Sequence, residues 1–255
     1  HRPVVLEPGF DEVDLGVGEG CGERIVIDYS RLPDLLAPRP SDPAWPSDWD
    51  QLHLAGQQAV ASAEAWSELS ATRTVLDASR AVFLGASLPI RLADWVGADP
   101  TVRLGANRGA SGIDGVVHTA IGAAGPVTSS TVRVLIGDLT CLHDQGSLPL
   151  LRAPGLQAVV FNNQGGSIFG MLPFRDVDGF DQVFRNAHTV RIAPLAQAHG
   201  LRTAEVADPD ALAAALADPE VDFVEARFEH HRTMQALATL HRQTCAVLRA
   251  TWGLT

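Results

Sequence analysis

From residue 80 onward, short apolar runs alternate with helical stretches, and few folds accept that alternation. The runs are 81–85, 102–104, 132–136, 158–161, 203–206 and 223–228. Between and after them, 89–96, 113–124, 142–151, 194–199, 210–217 and 233–249 read as helices. Apolar strands separated by helices form parallel sheets, because a crossover helix returns the chain to the same end of the sheet. The expected fold class is therefore α/β: a doubly wound parallel sheet of about six strands with helices on both faces. Ligands of such sheets bind at the carboxyl ends of the strands. The residues directly after each strand are thus the first candidates for chemistry.

The N-terminal part reads differently. Residues 1–48 are irregular, with one short strand at 25–29. Four prolines fall within residues 36–46, which rules out a helix there and suggests a linker. Residues 48–69 are Ala-rich and read as one helix. The expected division is 1–48 and 49–255. The chain opens at His1 without an initiator Met, as expected of a fragment, a processed chain or the ordered part of a longer one.

Composition excludes several functions. The formal charge is −11, which repels phosphate backbones and anionic lipid. All 19 basic residues are Arg, and a chain without Lys offers neither a Schiff-base lysine nor a Walker A lysine. Cys21, Cys141 and Cys245 are odd in number and far apart, which points to a reducing cytoplasm. No signal peptide is evident, and no apolar run approaches the roughly 20 residues of a membrane span.

Four groups follow the first four strands of the alternating region. They are Gly85-Ala86-Ser87, Asn107-Arg108-Gly109, Gly137-Asp138 and Asn162-Asn163-Gln164-Gly165-Gly166. Asp138 supplies an anionic oxygen and Asn163 a neutral amide oxygen. They lie 25 residues apart, with one helix and one strand between them, so both are expected at the same sheet edge. The glycines beyond let backbone carbonyls approach closely. An oxygen-only set with incomplete protein ligation suits Mg²⁺, which shares its shell with phosphates. Glycines and helix N-termini add N–H donors for a phosphate. Ser111 or Asp114 is expected to cap the helix beginning near Ile113. His143-Asp144 and His230-His231 lack a second cluster at ligand spacing and are not read as metal sites. Cys141 reads as a small helix residue.

The pair Gly137-Asp138 and Asn162-Asn163 resembles the thiamine-diphosphate signature of the pyruvate-decarboxylase-like enzymes. The segments 83–91 (FLGASLPIR), 107–115 (NRGASGIDG) and 162–169 (NNQGGSIF) narrow the resemblance. They are similar to the 2-succinyl-5-enolpyruvyl-6-hydroxy-3-cyclohexene-1-carboxylate synthases of menaquinone biosynthesis, strongly over 80–175 and in pattern over 176–255. The resemblance implies a cytoplasmic bacterial transferase with the thiamine-diphosphate-binding fold. It would decarboxylate 2-oxoglutarate and add the succinyl unit to isochorismate. Residues 1–48 resemble the end of that family's central domain, and 49–255 its diphosphate-binding domain.

Asp138, Asn163 and the Gly165 carbonyl would then hold Mg²⁺ or Mn²⁺. Gly137 and Ser87 would help bind the diphosphate, and Ile113 would prop the cofactor in its bent form. Arg91 and Arg108 would bind substrate carboxylates, and Ile168, Phe169 and Leu172 would line the cleft. The arginines suit two dicarboxylate substrates, since a guanidinium keeps its charge and offers a bidentate fork. Nothing before residue 80 resembles the family's pyrimidine-binding domain, which supplies the activating Glu. The site is therefore expected to be completed by that domain of another subunit, in a homodimer or homotetramer. Two other readings remain open: an acetolactate-synthase-like carboligase, which needs fewer carboxylate clamps, and a non-catalytic diphosphate-binding subunit.

Overall fold

A computed structural model of the chain describes residues 6–8, 25–27, 45–61, 66–107, 109–125, 131–172 and 175–252. The chain divides into two units, His1–Trp49 and Asp50–Thr255. In the first, β1 (Leu6–Pro8) pairs in parallel with β2 (Ile25–Ile27), Leu6 opposite Ile25. The expected strand at 25–29 is present at 25–27; residues 28 and 29 lie outside the described residues.

Helix α1 (Trp45–Ala61) begins inside the proline-rich stretch that sequence reading excluded from helix. Pro46 is its second residue, where a helix has no use for the missing N–H; residues 36–44 lie outside the described residues. The single helix expected over 48–69 is two. Ser67 caps a separate helix, α2 (Glu68–Asp77), through a reciprocal box. Its Oγ accepts from the Ser70 N–H at 3.2 Å, while its own N–H donates to Ser70 Oγ at 3.0 Å. That exchange satisfies two otherwise orphaned donors and fixes where the helix starts.

The second unit is built on six parallel strands in the order β4-β3-β5-β6-β8-β7. They are β3 (Ala81–Leu84), β4 (Arg103–Ala106), β5 (Val132–Gly137), β6 (Leu156–Asn162), β7 (Thr203–Val206) and β8 (Phe223–Arg227). Helices α3 (Leu88–Val96), α4 (Val116–Ala124), α5 (Asp138–His143), α6 (Ile192–Ala198), α7 (Pro209–Ala217) and α8 (His230–Trp252) complete it. The expected helix at 142–151 is instead the end of α5 and a 3₁₀ segment, Gln145–Arg152, with Pro149 inside it. Among the described residues, no helix is long and apolar enough to cross a membrane.

Strand alternation sorts the core onto two faces. Val82, Leu84, Leu135, Val159 and Phe161 pack with α2, α3 and α7 on one face. Phe83, Val134, Ile136, Ala158 and Val160 pack with α4, α6 and the 3₁₀ segment on the other. The sheet is thus doubly wound. Its winding reverses at β3, which lies between β4 and β5. A crevice opens at such a reversal, at the carboxyl edge.

One buried cation interrupts the apolar strands. Arg133 on β5 stands opposite Gln157 on β6 and donates Nε to Gln157 Oε1 at 2.9 Å. It also donates to Leu216 O at 2.7 Å, to Ser79 Oγ at 3.1 Å and to Ala78 O. The charge lies against the carboxyl ends of α2 and α7, where helix carbonyls favour a cation. Burial lowers the pKa of this guanidinium. Arg133→Met would leave these buried acceptors without their donor. We expect it to lower stability by about 2–3 kcal/mol in urea unfolding; no change would mean that water replaces the guanidinium.

Candidate functional site

The strand ends that sequence reading singled out lie along one edge. After β3, the Gly85 N–H donates to Leu135 O at 2.8 Å, and a Cβ at Gly85 would lie 3.2 Å from Ile136 Cγ2. The backbone then turns through Ser87, which has φ 89° and ψ −138°. That conformation is costly for a residue with a side chain and marks functional sites more often than ordinary turns. Arg91, on the first turn of α3, is exposed and donates Nη1 to the Ser87 carbonyl at 2.6 Å. After β4, Asn107 donates to Thr119 Oγ1 at 3.3 Å. Arg108 lies outside the described residues.

Ile113 is half-buried in the turn before α4, which starts at Val116 rather than near 113. Neither Ser111 nor Asp114 caps that helix. Gly115 takes the cap position at φ 66°, with no side-chain cap. Asp144, 27 residues away, accepts from the Val117 N–H at 3.2 Å instead. A carboxylate from another segment thus does the work expected of a local cap.

Asp138 opens α5, directly after Gly137, and is 3% exposed. Its Oδ1 accepts from the Leu139 N–H at 2.7 Å, and its Oδ2 from the Gly165 N–H at 2.9 Å. His188 Nε2 lies 3.3 Å from the same Oδ2. Asn162, which ends β6, and Asn163 directly after it have separate partners. Asn162 donates to Glu225 Oε1 at 2.6 Å and to Val190 O at 3.0 Å. Asn163 donates Nδ2 to Glu68 Oε1 at 2.8 Å, while its Oδ1 is buried without a hydrogen-bond partner among the described residues.

Gly165 has φ 131°, and a Cβ there would lie 2.8 Å from Arg185 O. Only glycine fits. Its carbonyl accepts from the Ser167 N–H at 2.8 Å, which leaves it one lone pair. What approaches so closely is a strap, residues 185–188: the Gly166 N–H donates to Arg185 O at 2.6 Å, and the His188 N–H to Gln164 O at 3.2 Å.

Beyond this loop, Ile168 is half-buried against the core face of α2, α3 and α7. Phe169 is 38% exposed, with its ring 6.4 Å from that of Phe184, and Leu172 is half-buried. Ser167 Oγ is 2.7 Å from His230 Nδ1. Burial lowers the His230 pKa.

Sequence reading missed Glu68, the first residue of α2, which is 2% exposed. Burial, with a smaller contribution from Asp138, pushes its carboxyl up to about 7, against the opposing effects of the nearby Thr233 hydroxyl and the Asn163 hydrogen bond. No local signal marks it, since it lies 95 residues from its partner Asn163. Burial and the acidic neighbours Asp138, Glu225 and Asp144 push the Cys141 thiol up to about 12. It is fully buried in the core, where a small helix residue packs.

Among the described residues, no three His, Cys, Asp or Glu side chains gather as a metal centre. A cation at this edge would be held by few protein oxygens, with the rest of its shell supplied by a ligand, as Mg²⁺ prefers. The available donors fit that description. Asp138 offers a carboxyl group, Asn163 a buried oxygen with no hydrogen-bond partner among the described residues, and the Gly165 carbonyl a lone pair beyond the one that Ser167 uses.

No protein-family model matches the chain. Curated relatives do. The 2-succinyl-5-enolpyruvyl-6-hydroxy-3-cyclohexene-1-carboxylate synthase of Renibacterium salmoninarum is 33% identical over 89% of this chain and 43% of its own length. The proteins of the same name from Thermosynechococcus vestitus and Halobacterium salinarum are 33% and 42% identical, over 80% and 62% of this chain. They are covered over 38% and 29% of their own lengths. The chain spans less than half the length of these relatives.

Proposed function

We propose, on the premise that this chain belongs to the 2-succinyl-5-enolpyruvyl-6-hydroxy-3-cyclohexene-1-carboxylate synthase family, that it is the diphosphate-binding part of such an enzyme. The observation that carries the reading is the sheet edge itself. Asp138 and Asn163 follow neighbouring strands there, the Gly165 N–H donates to Asp138 Oδ2, and the buried Asn163 oxygen has no hydrogen-bond partner among the described residues. In this reading the three oxygens hold Mg²⁺ or Mn²⁺, and the cation anchors the diphosphate of thiamine diphosphate beside Gly137 and Ser87. Ile113 supports the cofactor from the turn before α4. When bound, thiamine diphosphate supplies the electron sink for decarboxylating a 2-oxoacid and forming a carbon–carbon bond.

The chain's own residues bind, orient and exclude water. Arg91 and Arg108 take carboxylates of 2-oxoglutarate and isochorismate, and Ile168, Phe169 and Leu172 form the apolar wall of the cleft. The group that activates the aminopyrimidine comes from the pyrimidine-binding domain of another subunit, in a homodimer or homotetramer in the cytoplasm. The shared name of the relatives favours this over an acetolactate-synthase-like carboligase or a non-catalytic subunit.

The test is kinetic. An enzyme carrying this chain, given thiamine diphosphate and Mg²⁺, should consume 2-oxoglutarate and isochorismate together; cofactor binding without that consumption would overturn the substrate assignment. Arg91→Ala should lower kcat/KM for 2-oxoglutarate by about 10- to 150-fold, the worth of one charge-assisted hydrogen bond. Cofactor affinity should not change. A kcat/KM within threefold of wild type would make Arg91 a surface residue that only ties its own helix to Ser87.

A further inference from the structure

Asn163 poses a problem of orientation. A side-chain amide has an oxygen end and a nitrogen end of almost equal size, so packing alone does not choose between them. A hard cation accepts only the oxygen. In this structure the choice is made by one group: Nδ2 donates to Glu68 Oε1 at 2.8 Å, and Oδ1 is left buried and unpartnered. The other nearby bonds do not set it. Asn162 and Gln164 are bonded to each other and to Glu225, Val190, Arg185 and His188. Asp138 is bonded to Leu139 and Gly165.

Glu68 is itself held firmly. The Ser67 box starts its helix, its backbone carbonyl accepts from Thr72 Oγ1 at 2.6 Å, and the Thr233 hydroxyl of α8 lies beside its carboxyl. A buried carboxyl with a second oxygen lacking a hydrogen-bond partner is costly for folding alone.

We propose that Glu68 is a positioning residue, which fixes the Asn163 amide with its oxygen directed to the cation. Whether or not the carboxyl carries a proton on Oε2, Oε1 remains an acceptor, so the orientation holds in both states. This inference rests on the reading of Asp138, Asn163 and Gly165 as the cation's ligands. It adds a residue from α2 that touches neither the cation nor the substrate.

The experiment measures Mn²⁺ affinity of an enzyme carrying this chain and its pyrimidine-binding domain by electron paramagnetic resonance in the presence of thiamine diphosphate, with a thermal melt without metal as control. Glu68→Met fills the space but removes the acceptor. It should weaken Mn²⁺ binding by about 10- to 100-fold, as losing a group that orients a ligand does, while the melting temperature stays or rises. In the Asn163→Asp background the sign should reverse. A carboxylate has no donor end to misdirect, and Glu68→Met removes a repelling neighbour, so Mn²⁺ should bind more tightly. Equal losses in both backgrounds, or a wild-type-like affinity in the Glu68→Met single variant, would overturn the positioning role while leaving the ligand assignment intact. Failure of the wild-type enzyme, with its pyrimidine-binding domain present, to bind Mn²⁺ with thiamine diphosphate would instead overturn the ligand assignment, and the inference with it.

Discussion

Asp138→Ala is expected to abolish Mg²⁺-dependent binding of thiamine diphosphate. The substitution removes the one anionic oxygen among the three proposed ligands and leaves a dication facing neutral groups. Removing one partner of a buried charge pair costs about 3–5 kcal/mol, or roughly 100- to 5,000-fold in affinity. The same carboxylate also accepts from the Gly165 and Leu139 N–H groups, so the loop itself could shift in the alanine variant. Asp138→Asn separates the two effects. Its amide oxygen still accepts an N–H, but the charge is gone, and affinity should remain at least about 100-fold below wild type. Calorimetric titration with the cofactor in excess Mg²⁺ measures both. Wild-type affinity in Asp138→Asn would show that the carboxylate organises the loop and does not hold the metal.

The second large effect is on stability. Glu225→Ala should destabilise the second unit by about 4 kcal/mol or more, lowering its melting temperature by about 10 °C. Glu225 is fully buried on β8. Its Oε2 accepts from the Ile192 and Ala193 N–H groups at 2.9 and 2.6 Å, which satisfies the first turn of α6, and its Oε1 accepts from Asn162. The alanine variant strands three donors away from water, each hydrogen bond to a charged acceptor being worth about 1.5–3 kcal/mol. With a total stability of roughly 5–15 kcal/mol, such a loss is a large share. Differential scanning calorimetry reads it directly. A shift under about 3 °C would mean that α6 finds another cap, or that water reaches the site.

Sheet and strand ends were legible because their signals are local. Runs such as 158–161, short and apolar between helical stretches, fit a sheet interior, and a parallel sheet obliges Asp138 and Asn163 to emerge at one edge. Helix boundaries were less legible. The Ala-rich stretch 48–69 has the composition of one helix, yet Ser67 and Ser70 cap one another and start a second. The start of α4 was misplaced because its cap, Asp144, is remote in sequence.

Asn162-Asn163 shows most plainly what sequence determined by itself and what tertiary structure decided. Two identical neighbours carry no sequence sign of different roles. Consecutive residues at a strand end point to opposite faces of the sheet, and the two faces here present different carboxyls. Asn162 meets Glu225, which caps α6; Asn163 meets Glu68, which opens α2. Residue types and their periodicity determined the fold class, the sheet edge and the oxygen chemistry available there. Packing of α2 and of the 185–188 strap decided which asparagine keeps an oxygen free and why Gly165 must be glycine. Those outcomes depend on contacts between residues 19 to 95 positions apart, which only the folded chain brings within hydrogen-bonding distance.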